Sequence, residues 1–286
     1  MALLKNASLI ASTLIALQSQ AASVWKVSTD SNQLFIGGTM HVLTAEDYPL
    51  PKEYAQAYSA ADKLVFETDM SVVNSPEFGN MIMSQMTYQD GTTIDKVLKP
   101  DTYNALQQHL SLRGIPIQNF ATFKPSLLAI TLSMIELKML GLTSEGVDLY
   151  YSKMASEHKK EQLWLETPEQ QIQFLMSMGQ NDENAMIDYT LKDIKKMPTM
   201  IETLRKTWRE GDMQAMANVS IKEFRADYPE IYQDLLVKRN NNWLPQIVQM
   251  LNTPATELIL VGALHLAGPD SVLEKLKAKG YKIEKL

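Results

Sequence analysis

The chain has no cysteine among its 286 residues, which removes disulfides, thiol nucleophiles and thiolate-bound metals together. Histidine is nearly as scarce, at 4. Lys and Arg total 27 against 33 Asp and Glu, a formal charge of −6, and such a balance argues against a phosphate-tracking surface for nucleic acid. Beyond residue 22 no apolar run approaches membrane-spanning length, so no span is expected in the body of the chain. Low-complexity linkers are missing too, so residues 23–286 are expected to form one domain.

The first 22 residues carry a different signature. Lys5 precedes the apolar stretch ASLIASTLIAL at 7–17, and Ser19, Gln20 and Ala21 place small residues at a cleavage position. This order of basic, apolar and small residues predicts an export signal cut near Ala21 or Ala22. The mature chain is then expected in a periplasm or outside the cell, and an exported chain without cysteine suits a bacterial periplasm. Nothing in the sequence indicates an oligomeric state.

Two of the four histidines sit in one repeated pattern. Residues 34–43 read LFIGGTMHVL and residues 258–267 read LILVGALHLA. Each runs an apolar strand into Gly-x-x-His, with Gly38 matching Gly262 and His41 matching His265. A glycine there lets the chain leave the strand sharply and lets another group approach the backbone.

The surroundings of both motifs predict β-α-β units. Residues 25–28 and 34–38 flank a polar turn and read as a hairpin; KEYAQAYSAA at 52–61 reads as a helix and KLVFET at 63–68 as a strand. Near the end, a strand at 257–262, a helix opening at Pro269 and reaching Lys279, and a strand at 281–284 repeat the plan. Between them the chain is mostly helical, with expected helices at 124–140 (apolar nearly all round), 144–157, 181–196, 199–209 and 229–251, a short strand at 162–165, and a capping box at Thr167-Pro168-Glu169-Gln170. The expected fold is α/β: a central mixed, mainly parallel sheet with a large helical insertion between its two halves. Ligands of such sheets bind at the carboxyl ends of the strands.

Imidazole is a common ligand for transition metals, and two strand ends of one sheet can bring two such ligands together. A third, anionic group is expected from another strand end, where Glu67 follows LVF, with Asp69 two residues further. Two imidazoles and a carboxylate with open positions suit Zn, Mn, Co or Fe, and such a site activates water or polarises a carbonyl. His109 and His158 lie in polar helical contexts, QQHLS and SEHKK, and are expected to face solvent. Arg239 and Asn240 interrupt an amphipathic helix and can bind a carboxylate or simply stay solvated; Asp148 and Glu166 lie near element ends, where capping and surface charge are the ordinary roles. The 17 methionines read as core filler.

Several blocks together, GGTMH at 37–41, FETD at 66–69, KPSLLAITLSMIELKMLGL at 124–142, GVDLYYSKMA at 146–155, LWLET at 163–167, KRNNNW at 238–243 and VGALHLAGPDSVLEKLKAKGY at 261–281, are similar to the TraB/GumN family, which includes the animal Tiki proteins. The resemblance runs from about residue 24 to the end, and the ordered pair of Gly-x-x-His motifs is its most specific part. It implies a metal-dependent protease or related hydrolase using a divalent transition metal (Mn, Co or Zn), with His41, His265 and Glu67 at the metal and catalytic positions. Asp148, Glu166, Arg239 and Asn240 fall in family blocks and are expected to contact substrate or support the site. One departure is Pro269-Asp270-Ser271, where members often carry an extra glycine. The expected substrate is a peptide or another small carbonyl compound; the alternative is a non-catalytic metal- or haem-binding protein of the periplasm.

Overall fold

A computed structural model describes residues 22–177 and 182–286; the expected export signal, apart from Ala22, lies outside the described residues. The fold is α/β. Six strands form one mixed sheet: β1 (Val24–Ser28), β2 (Gln33–Thr39), β4 (Lys63–Phe66), β6 (Glu161–Trp164), β7 (Glu257–Gly262) and β8 (Lys282–Lys285), in the order β6-β4-β7-β2-β1-β8. The neighbours β6, β4, β7 and β2 run parallel, while β1 pairs antiparallel with both β2 and β8. A two-residue pair, β3 (Val42–Leu43) with β5 (Ser144–Glu145), stands apart.

Period-two alternation sorts the strand side chains into two apolar layers. Phe35, Leu64, Phe66, Leu258 and Leu260 pack on one face with Tyr54, Tyr58, Tyr151 and Trp208. Leu34, Ile36, Val65, Ile259 and Val261 pack on the other with Trp243, Ile247, Val272 and Leu276. The central strands are covered on both faces, which is why they read as unbroken apolar runs. A third cluster, including Leu106, Leu128, Ile187 and Leu191, belongs to the helices between β4 and β7.

Several elements differ from expectation. The helix Pro125–Met139 is only partly buried, with Met134 and Met139 half or more exposed, so its apolar surface exceeds what neighbours cover. Residues 144–145 pair as β5, and the helix there is Val147–Glu157. The two helices expected at 181–196 and 199–209 are one, Glu183–Glu210, because burial of Ile187, Leu191, Ile194 and Met197 outweighs the hydrogen bond lost at Pro198. The 229–251 helix is interrupted by a wider π turn at Gln233–Val237 before Lys238–Met250. Ser271, rather than Pro269, opens the helix Val272–Ala278, its hydroxyl accepting from Glu274 N at 3.2 Å. The capping box forms as read: Thr167 N donates to Gln170 Oε1 at 2.8 Å and Gln170 N to Thr167 Oγ1 at 3.3 Å. His109 does not face solvent; its side chain is 10 % exposed beside Glu136, which also binds Arg113.

Candidate active site

The four parallel strands deliver four polar residues to one edge. Glu166 follows β6, Glu67 follows β4, His265 sits in the turn after β7 and His41 lies two residues beyond β2. The two Gly-x-x-His strands are hydrogen-bonded neighbours, with Gly38 opposite Val261 and Thr39 opposite Gly262. A Cβ on Gly262 would lie 3.2 Å from Glu67 Oε1, 3.6 Å from His265 Cδ2 and 3.7 Å from His41 Nε2. Three strand ends therefore converge on one glycine, whose bare Cα leaves the space between them.

Two helix starts complete the cluster. Asp148, in the first turn of Val147–Glu157, accepts from His41 Nδ1 at 3.0 Å. That approach depends on Gly146, because a side chain there would fall on the carbonyl groups of Met40 and His41. From the start of Lys238–Met250, Asn240 Oδ1 accepts from His265 Nδ1 at 2.6 Å, so both imidazoles are held through Nδ1 and present Nε2 inward. Arg239 occupies the middle. It donates to Glu67 Oε2 at 2.6 Å, to both oxygens of Glu166, and through Nη1 to His265 Nε2 at 3.2 Å. Trp243, one turn further, donates to Glu166 Oε2 at 3.3 Å and lies under both Arg239 and His265.

Electrostatics follow from these contacts. Burial opposes the charge on Glu67, but Arg239 and the donating Gly262 N–H outweigh it and bring its pKa down to about 2. Glu166 is pushed up by burial, against the pull of Arg239. Burial also drives His265 down to about 3, leaving a neutral imidazole whose Nε2 lone pair is the one Arg239 engages. Asp148 raises His41 to about 9, although its side chain is 64 % exposed and solvent screens the pair.

Seven of the eight candidate site residues singled out in the sequence, His41, Glu67, Asp148, Glu166, Arg239, Asn240 and His265, thus lie in one cluster. Asp69 does not; it caps the short helix Met70–Val73. Gly146 and Trp243 went unassigned, although Trp243 stands four residues after Arg239 on the same helix face. Among the described residues no three His, Asp or Glu side chains are grouped so as to hold a metal ion. A cavity of about 1080 Å³ lined by Lys222, Arg225 and Lys277 among others contains none of the seven, so size alone does not locate the chemistry.

Residues 23–285 match the model of the TraB/PrgY/gumN family. The chain belongs to this family. Among its relatives is the uncharacterized protein YbaP of Escherichia coli (strain K12), 24 % identical over 241 residues, covering 84 % of this chain and 86 % of that one. Metalloprotease TIKI2 of Xenopus tropicalis is 22 % identical over 303 aligned positions; the match covers 87 % of this chain but 57 % of that longer family member. No solved structure matches. The family match spans every residue of the cluster, from His41 to His265.

Proposed function

We propose that the chain is a metal-dependent hydrolase of peptides or related carbonyl compounds, with His41, His265 and Glu67 at its reacting centre. The observation that carries this reading is the convergence of those three groups on Gly262, each imidazole anchored through Nδ1. The similarity to a metalloprotease supports the reaction class. The donor types, two Nε2 atoms and one carboxylate, suit a divalent transition metal such as Mn, Co or Zn, with Asp148 and Asn240 as the outer partners that fix ligand tautomers; with Arg239 in the middle the three are not grouped to hold an ion as they stand. His41, His265 and Glu67 would hold the ion, which when bound supplies a more acidic water and a Lewis acid for the carbonyl.

The chain's own residues set the conditions. His265 Nε2 has a single lone pair, so Arg239 and an ion compete for it, as they do for Glu67 Oε2. Arg239 keeps both oxygens of Glu166 in either case, which holds its charge at the centre. Glu67 stays charged at neutral pH, so it is available either to hold an ion or to accept a proton from water. Action after export, in a periplasm or outside the cell, follows from the reading of residues 1–22; mass spectrometry of protein from its host is expected to show that segment removed, and retained Met1 counts against it.

The reading is tested by elemental analysis and peptide turnover on purified protein beside a His41→Ala/His265→Ala double variant. Metal and turnover are expected in the wild type and neither in the variant. Equal metal in both removes the basis of the site, and metal without turnover makes the chain a non-catalytic binder of metal or haem.

A further inference from the structure

Two cavities meet at the centre, sharing Thr39, His41, Glu67, Leu235 and Arg239. The first, about 300 Å³, adds Met40, Leu204, Met216, Phe224, Leu236 and Leu264 to its walls; apart from His265, every residue it does not share is apolar or glycine. The second, about 390 Å³, is edged by Thr68, Asn74, Asp148 and Gln171 beside Phe174 and Leu175. Thr39, Thr68 and Asp148 are among its lining residues, although Thr39 Oγ1, Thr68 Oγ1 and Asp148 Oδ1 are themselves buried and without a hydrogen-bond partner. Their residues are 3 %, 2 % and 7 % exposed.

We infer that the centre takes an extended peptide, seating a large apolar side chain such as leucine, phenylalanine or methionine in the first cavity and running its backbone through the more polar second. The inference rests on the hydrolase reading and adds the substrate's character to it. A charged side chain would lose its hydration against the apolar wall of the first cavity; the charged groups His41, Glu67 and Arg239 belong to the part shared with the second cavity, and Arg239 already binds Glu67 and Glu166. Met40 and Met216 adapt to branched or aromatic groups alike.

Alanine pentapeptides whose central residue is leucine, phenylalanine, glycine or glutamate provide the test, with binding followed by calorimetry and hydrolysis by mass spectrometry on the same preparation. The leucine and phenylalanine peptides are expected to bind about 10-fold or more tighter than the other two, with Leu204→Trp, which fills the cavity, reducing the preference to about threefold or less. Phe224→Ala enlarges the same wall and is expected to shift preference from leucine toward phenylalanine, which keeps the inference testable if Leu204→Trp does not fold. Equal binding of all four peptides by the wild type overturns it. Preferential binding without cleavage supports the pocket and counts against hydrolysis; cleavage without side-chain preference supports hydrolysis and overturns the pocket.

Discussion

Replacing Arg239 with methionine isolates what the central cation contributes to the fold. The side chain keeps most of its length and its contact with Trp243, but Glu67 and Glu166, 7 % and 6 % exposed, are left without their shared partner. Removing one member of a buried ion pair costs about 3–5 kcal/mol, because a desolvated charge remains. For a chain of this size that corresponds to a fall in Tm of roughly 6–20 °C at pH 7. The effect must depend on pH with a definite sign. In the wild type Glu67 is depressed to about 2, so its contribution is present above its unfolded value of 4.5 and is lost as pH falls toward 2. In the variant burial acts on both carboxylates without the opposing charge of Arg239, so both pKa values rise and acidification neutralises them earlier than in the wild type. The gap in Tm between the two proteins should therefore narrow from pH 7 to pH 4. Differential scanning calorimetry at both values decides it: a gap under about 2 °C at pH 7, or one that does not narrow, refutes the buried-cation account.

Two further changes probe the same cluster. Glu67→Gln preserves shape and one acceptor but removes charge and basicity, so turnover should fall by about 10² or more; metal retained points to a base, metal lost with activity to a ligand, and wild-type levels of both exclude either role. Asp148→Asn should bring the His41 pKa from about 9 toward its ordinary 6.5, read from the imidazole proton resonances. Because that pKa is raised, the wild type's advantage is full below 6.5 and disappears as pH rises through 9, and exposure of His41 limits it to about 1 kcal/mol or less; an unmoved resonance titration would show that Asp148 does not set the protonation of His41.

Much of this cluster was legible because strand ends announce themselves. LFIGG and LILVG are apolar on both faces, so each had to be an interior strand, and parallel interior strands release their next residues on a common edge. Glu67 was legible for the same reason. The partners of Arg239 were not, since Glu67 and Glu166 lie far from it in sequence and only the finished sheet sets them side by side. The same limit explains His109, whose neighbour Glu136 belongs to another helix. The gap expected between residues 196 and 199 holds Pro198, which local propensity disfavours inside a helix, yet packing of the helix Glu183–Glu210 carried the chain through. Conversely, residues 144–145 read as helix but were captured by β3.

β7 lies between β4 and β2, although it is made nearly two hundred residues after β4 and they are made close together. Until residues 257–262 are available, β2 and β4 each present an unpaired edge toward the middle of the sheet, and His265 and its glycine are missing from the cluster. The closing step is thus a long-range insertion, slow by loop-closure entropy and open to aggregation while it waits. Loss of even a short stretch from the carboxyl-terminal end, up to and including β7, would remove the middle of the sheet rather than its margin. A nascent chain cannot complete its reacting centre until the last-made interior strand, β7, docks.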